Sequence, residues 1–162
     1  MEINKFYIAG KFITPDGKEI IDLINPATEE KVGHVVSGSV KDVNDAVSSA
    51  KQAFQDASAL SIEQKKTILQ EIIDGMDERR EEFAQVISEE MGAPIKVARG
   101  AQFSSGKVHF VNTLKVIDSF SFSEVHDNIT LNKLPVGPVG MITPWNWPLN
   151  QMCTKIASAI AA

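Results

Sequence analysis

The stretch that most constrains the fold is residues 136–149, which read Val-Gly-Pro-Val-Gly-Met-Ile-Thr-Pro-Trp-Asn-Trp-Pro-Leu. The apolar run at 139–142 is short and bounded by glycine and proline, which is typical of a strand buried on both faces of a parallel sheet. Pro144 and Pro148 have no backbone N–H, so strand pairing must stop there and the chain must turn between them. The sequence therefore predicts a strand, a turn and a helix, with the turn at the strand's carboxyl end, where open α/β sheets bind ligands.

The predicted turn carries one side-chain amide, that of Asn146, between the indoles of Trp145 and Trp147. An amide offers two N–H donors, and a donor held by flanking prolines and indoles is suited to stabilising an oxyanion. The alternative is a turn residue whose side chain bonds its own backbone. The residues alone favour this alternative, although the two roles are compatible.

Residues 142–149 resemble the P-W-N-[FW]-P-[LT] signature of the NAD(P)-dependent aldehyde dehydrogenase superfamily. Two further segments, 7–12 and 24–28, resemble the amino-terminal stretch of the same family. The resemblance implies that Asn146 donates its amide to the oxyanion of a thiohemiacetal. It also implies that Asn146 and the four residues before it line the nicotinamide-ribose side of an NAD or NADP site; these four are Ile142, Thr143, Pro144 and Trp145.

The same resemblance implies an α/β fold, namely an incomplete aldehyde dehydrogenase-like fold. It would comprise amino-terminal strands, a helical layer, a projecting β-hairpin and the first strand-turn-helix of a Rossmann-like domain. The expected divisions are an amino-terminal part of the cofactor-binding domain at 1–118, an oligomerisation hairpin at 119–135 and the start of a Rossmann-like core at 136–162. The family's thiol nucleophile and general base would lie beyond residue 162, so we expect an amino-terminal fragment that is inactive alone.

Turn and capping residues predict the elements of the first 118 residues. Apolar runs around Gly10, at 20–24 and at 31–36 indicate strands forming a small antiparallel meander. Helical spacing and caps indicate helices at 40–57 and 62–76, a third helix ending at Gly92, and a long helix over 94–117. Gly100 and Gly106 weaken this last helix, so close packing against a neighbour is expected.

Residues 119–134 alternate apolar and polar side chains on either side of Asp127 and Asn128, which predicts a projecting hairpin. Two strands are too few to be stable alone. We therefore expect this hairpin to pair with a second copy, giving a homo-oligomer, or with a complementing chain. The family resemblance places the oligomerisation arm here.

Residues 148–162 form a nearly all-round apolar pattern, so a buried helix is expected. Its Cys153 lacks a histidine or a suitably placed cation beside it, so an inert buried thiol is the favoured interpretation. The histidines have no partners at metal-ligand spacing, and no metal site is expected. The glutamates at 81, 82, 89 and 90 are interpreted as a solvated helix face.

The net charge of −5 disfavours nucleic acid and anionic membrane as partners, because both need a basic face. With one cysteine the chain can form no internal disulfide, which favours the cytoplasm. The first residues lack a basic region followed by an apolar core, so no secretory signal is expected, and no run approaches the roughly 18 apolar residues of a membrane span.

The leading hypothesis is the amino-terminal part of a cytoplasmic enzyme that oxidises an aldehyde to a carboxylic acid. The alternative is a non-catalytic or split-subunit interaction module whose hairpin and last helix dock on another polypeptide. An independent nucleotide binder is disfavoured because no G-x-G-x-x-G phosphate loop occurs in the sequence.

Overall fold

The amino-terminal strands form two separate sheets. The structure, a computed structural model, describes residues 2–162; Met1, with which the expected division 1–118 begins, lies outside them. The strands are β1 (Glu2–Ile3), β2 (Phe6–Ile8), β3 (Lys11–Ile13), β4 (Ile20–Ile24) and β5 (Lys31–Val36). The predicted strands at 20–24 and 31–36 are thus confirmed.

The hairpin of β2 and β3 turns at Ala9 and Gly10, which both have positive φ angles of 53° and 73°. Positive φ at both central residues gives the twist that suits a two-residue hairpin. In the second sheet, β5 pairs antiparallel with β4 and parallel with β1. The predicted single meander is therefore wrong, since β3 and β4 do not pair.

The carboxylate of Asp42 binds the loop between β3 and β4. Asp42 is only 4% exposed, and it accepts the backbone N–H groups of Asp16 at 2.9 Å, Gly17 at 3.1 Å and Ser39 at 2.8 Å. These bonds tie the 16–17 loop to a helix N-terminus and hold the pKa of Asp42 well below its usual range, with Asp16 and then Ser39 contributing most. The stabilisation is fully present above the ordinary carboxyl pKa and is lost as pH falls below it.

The helical layer follows the predicted caps. Ser39 and Asp42 form a capping box, and so do Ser61 and Gln64. The third helix ends at Gly92, whose φ is 69°. The helices are α1 (Val40–Ser58), α2 (Ile62–Glu78), α3 (Arg80–Met91), α4 (Ile95–Val97), α5 (Phe103–Val116) and α6 (Pro148–Ala161).

The predicted long helix over 94–117 is present but contains a π-helical turn, Ala98–Gln102, between α4 and α5. Two arginines hold this turn: Arg80 Nε donates to the Arg99 carbonyl at 3.3 Å, and Arg99 pairs with Glu81 at 2.6 Å. The Arg99 guanidinium lowers the pKa of Glu81 to about 2. Glu81 thus lies in an exposed ion pair, which agrees with the predicted solvated face.

Helices α5 and α6 approach each other closely at Gly106. A Cβ built on Gly106 would lie 2.6 Å from Leu149 Cγ and 3.3 Å from Cys153 Sγ. The expected close packing is therefore confirmed at Gly106. It is wrong at Gly100, where a Cβ would meet no described atom within 4 Å.

The apolar core lies where α5 packs against α2, α3 and α6. Its side chains are less than 10% exposed, and Leu69 and Phe103 are the largest that are fully buried. Helix α6 contributes only one face to this core, because Met152 remains 44% exposed. The expectation that α6 is buried all round is wrong for residues 2–162. The other large core residues are Ile73, Met76, Ile87, Phe110, Ile117, Leu149 and Cys153.

The predicted hairpin at 119–134 is confirmed. Strands β6 (Ser123–His126) and β7 (Ile129–Asn132) pair antiparallel, and Asp127 in the turn has a φ of 52°. The hairpin stands out from the core, and its side chains Val125 and Ile129 are 73% and 65% exposed.

The predicted strand at 139–142 is not formed. Within the described chain, residues 133–147 pair with no strand, and Val136 and Ile142 are 91% and 92% exposed. A strand is held by the N–H and C=O groups of its neighbours, and no strand of residues 2–162 lies alongside this segment. The prediction of a strand buried on both faces is therefore wrong here. The fold remains mixed α/β.

Among residues 2–162, no helix combines the length and apolarity that crossing a membrane requires.

Substituting Gly106 tests the α5–α6 contact. We expect Gly106→Ala to lower the free energy of unfolding by about 1 kcal/mol, because overpacking costs about 1–3 kcal/mol and alanine regains about 1 kcal/mol of helix propensity. Gly75→Ala in α2 is the matched control, since a Cβ there meets no described atom within 4 Å. Urea denaturation should show the control to be stabilising; a stabilising Gly106→Ala would contradict the close approach.

Candidate functional site

The predicted site residues lie together on an exposed corner that precedes α6. Ile142 is 92% exposed and Trp145 is 82% exposed, and Thr143, Pro144 and Asn146 are exposed as well. No hydrogen bond joins these five residues to another described residue. The amide of Asn146 therefore faces solvent, and no second polar group from the described chain converges on it.

The corner ends where α6 begins. Trp147 precedes the helix with φ −138° and ψ 68°, and its carbonyl accepts the Gln151 N–H at 3.0 Å. Pro148 follows at the first helical position, where its missing N–H costs nothing. Leu149, 4% exposed, then packs on Gly106. The direction of the corner is therefore set by the first turn of α6.

A polar contact fixes this first turn to α5. The Asn150 side-chain nitrogen Nδ2 lies 3.1 Å from the Ser105 carbonyl oxygen and 3.1 Å from His109 Nε2. His109 is partly buried, which agrees with its predicted role as a partly exposed structural histidine. Asn150 was not predicted as a site residue; the one signal for it in the sequence is a polar side chain in the first turn of a largely apolar helix.

An apolar groove of about 400 Å³ lies beside the corner. One wall is residues 135–141, and the opposite walls come from α1, α2 and α6 through Phe54, Ile68 and Ile160. Lys65 lies at the end of the groove and donates from Nζ to the Ala161 carbonyl at 3.2 Å. The apolar side chains between residues 135 and 141 therefore face an open groove, in which another apolar surface has room to pack against them.

Cys153 cannot act as a nucleophile in this arrangement. It is 4% exposed, and burial raises the pKa of its thiol to about 11. The prediction of a buried, inert thiol agrees with both observations. No group of three His, Cys, Asp or Glu side chains within residues 2–162 is placed to hold a metal ion.

Comparison with known proteins shows the family. The sequence profile of the Aldehyde dehydrogenase family matches residues 12–162. A 3-succinoylsemialdehyde-pyridine dehydrogenase from a Pseudomonas species is 36% identical over 162 residues, covering 99% of this chain and 34% of the relative. The chain belongs to the aldehyde dehydrogenase family.

Solved structures agree with this assignment. An aldehyde dehydrogenase from Bartonella henselae superposes with a TM-score of 0.96 at 36% identity, covering 100% of this chain and 35% of that one. Aldehyde dehydrogenase C from Pseudomonas syringae, crystallised with NAD+ and octanal, superposes with a TM-score of 0.92 at 40% identity, covering 98% and 33%. This chain therefore spans about a third of the length of the relatives it matches.

The pKa of Cys153 predicts its reactivity. A thiol with a pKa of about 11 is ionised about 100-fold less at pH 8 than an ordinary cysteine, so labelling by iodoacetamide should be slower by at least that factor. Labelling should accelerate as pH rises towards 11. Mass spectrometry of native and urea-unfolded chain would measure this; equal rates in the two states would contradict the buried thiol.

Proposed function

We propose that this chain is the amino-terminal part of an NAD(P)-dependent aldehyde dehydrogenase that oxidises an aldehyde to a carboxylic acid through a thiohemiacetal. The single observation that carries the proposal is the family's Pro-Trp-Asn-Trp-Pro sequence on an exposed corner, with the Asn146 amide unbonded to the rest of the described chain. The match to the aldehyde dehydrogenase family over 12–162 supports it.

Asn146 is proposed to stabilise the oxyanion that forms when a thiol adds to the aldehyde carbonyl. Its two amide hydrogens are not used by described residues, so both remain available to a negative oxygen. Pro144 and Pro148 restrict the backbone on either side, and Leu149 anchors the helix that follows. A backbone restricted in this way has less conformational freedom to lose when the amide binds the transition state.

The residues before Asn146 fit the nicotinamide-ribose side of a dinucleotide site. The backbone groups of Ile142, Thr143, Pro144 and Trp145 make no hydrogen bond to another described residue, so they are open to a ligand. When bound, NAD or NADP would supply the hydride acceptor. The complex of the Pseudomonas syringae enzyme with NAD+ and octanal supports both this cofactor and an aldehyde substrate.

Residues 1–162 alone are proposed to be inactive. The chain has one cysteine, and Cys153 lies on the face of α6 that packs against α5, where it is buried and its pKa is raised. A thiol in that state does not add to an aldehyde at neutral pH. The nucleophile would therefore come from polypeptide other than residues 1–162, and the family resemblance implies the same for the general base. The single unpaired cysteine also supports a cytoplasmic location.

A chimera tests the role of Asn146. Residues 1–162 would replace the aligned third of the Bartonella henselae enzyme, and NAD-dependent aldehyde oxidation would be measured. We expect the chimera to be active and Asn146→Ala to reduce kcat by about a hundred- to a thousand-fold, the loss typical of one oxyanion donor.

The control for the chimera is Asn44→Ala, an exposed asparagine on α1 far along the chain from the corner. It should leave kcat and KM unchanged. An Asn146→Ala chimera with the parent kcat would refute the oxyanion role, and turnover by residues 1–162 alone would refute the proposed inactivity.

The second candidate is a non-catalytic or split-subunit interaction module. The observation that favours it is the exposed apolar series before the corner, in which Leu134 and Val136 are 80% and 91% exposed. The hairpin of β6 and β7 adds Val125 and Ile129. Partners are proposed to be a second copy or a complementing chain that pairs with residues 119–134.

Self-association of the hairpin is measurable. Sedimentation of residues 1–162 should show a concentration-dependent dimer, because an exposed two-stranded sheet gains stability from further strands. Val125→Lys should weaken the dimer by burying an unpaired charge. Val40→Lys, at an equally exposed valine in α1, is the control. A strictly monomeric parent at high concentration would refute association through this hairpin.

A further inference from the structure

We propose that His109 and Asn150 are positioning residues that hold the corner carrying Asn146 in place. Asn150 lies in the first turn of α6, and its Nδ2 reaches both the Ser105 carbonyl and His109 Nε2 at 3.1 Å. The effect on Asn146 rests on the proposed function, whereas the contact itself does not.

The Ser105 carbonyl fixes the chemistry of the contact. A carbonyl oxygen only accepts, so the Asn150 group facing it must be the NH₂ and not the amide oxygen. The second hydrogen of that NH₂ then points to His109 Nε2, which must also accept. A ring nitrogen that accepts carries no proton, so the proposal assigns the ring proton of His109 to Nδ1. One amide thus binds two acceptors that lie one turn apart on α5.

Few other contacts with the described chain hold residues 142–147 in place. Trp147 provides no side-chain cap for α6, and no hydrogen bond joins residues 142–146 to other described residues. Leu149 on Gly106 locates the start of α6, but an apolar contact is not directional. The two hydrogen bonds of Asn150 therefore supply the directional restraint on the first turn, and the turn aims Asn146.

The protonation of the ring is the first test, made on the unaltered chain of 162 residues. Long-range ¹H–¹⁵N NMR at pH 8 distinguishes the two neutral tautomers of histidine. We expect a proton on Nδ1 of His109 and a bare Nε2. A proton on Nε2 would overturn the proposal, and this test does not depend on any variant folding.

The second test uses the two tryptophans of the chain, which both lie in the corner. His109→Gln keeps an acceptor at about the position of Nε2, whereas His109→Phe keeps a ring without an acceptor. Loss of one hydrogen bond should raise the population in which the first turn of α6 is detached from α5 about five-fold. We therefore expect faster acrylamide quenching of Trp147, which is 37% exposed whereas Trp145 is already 82% exposed, and faster exchange of the Gln151 amide in the Phe variant and in Asn150→Leu. The Gln variant should match the parent.

Ser104→Ala, at an exposed position on α5, is the control and should change neither readout. A Gln variant as loose as the Phe variant, or a Phe variant as tight as the parent, would overturn the proposal. In the chimera, His109→Phe should lower kcat and His109→Gln should restore it. If Asn146→Ala leaves kcat unchanged while His109→Phe still loosens the tryptophans, the proposed function fails and the positioning contact stands.

Discussion

The close approach of α5 and α6 at Gly106 is the contact on which the rest of this structure depends. It places the Leu149 side chain within the core and lets the amide of Asn150 reach α5. It also covers Cys153, so the contact that brings α6 against α5 also keeps the chain's one thiol buried with a raised pKa. A side chain as small as alanine at position 106 would intrude on Leu149 and Cys153. The helical core and the candidate site are thus joined at Gly106, where α5 meets the start of α6.

Much of the fold was predictable because local chemistry decided it. The capping boxes begun by Ser39 and Ser61 satisfy helix N–H groups within four residues, so the sequence shows where those helices begin. The turn at Asp127 and the left-handed Gly92 are likewise local features. The candidate site residues were found through the resemblance of 142–149 to a family signature, and the family match over 12–162 agrees with it.

The features that were missed depend on distant partners. Residues 139–142 can form a strand only if neighbouring strands pair with them. The apolar sequence and its flanking prolines do not reveal whether such strands are present. The loop between β3 and β4 is bound by Asp42, which lies 25 and 26 residues further along the chain. The bond between Asn150 and His109 spans 41 residues. Periodicity and propensity describe neighbours along the chain, and they carry no information about such contacts.

The π-helical turn at 98–102 affects which neighbouring helices α4 and α5 pack against. A π turn inserts one extra residue, and each residue of a helix advances the side chains by about 100°. Consecutive residues Gln102 and Phe103, where the π turn meets α5, are both buried, at 2% and 1% exposure. The inserted residue shifts the angular phase of the apolar stripe: the π turn packs on α3, whereas α5 packs on α2 and α6. The continuous helical segment from α4 to α5 therefore presents two differently oriented contact faces without a break in its backbone.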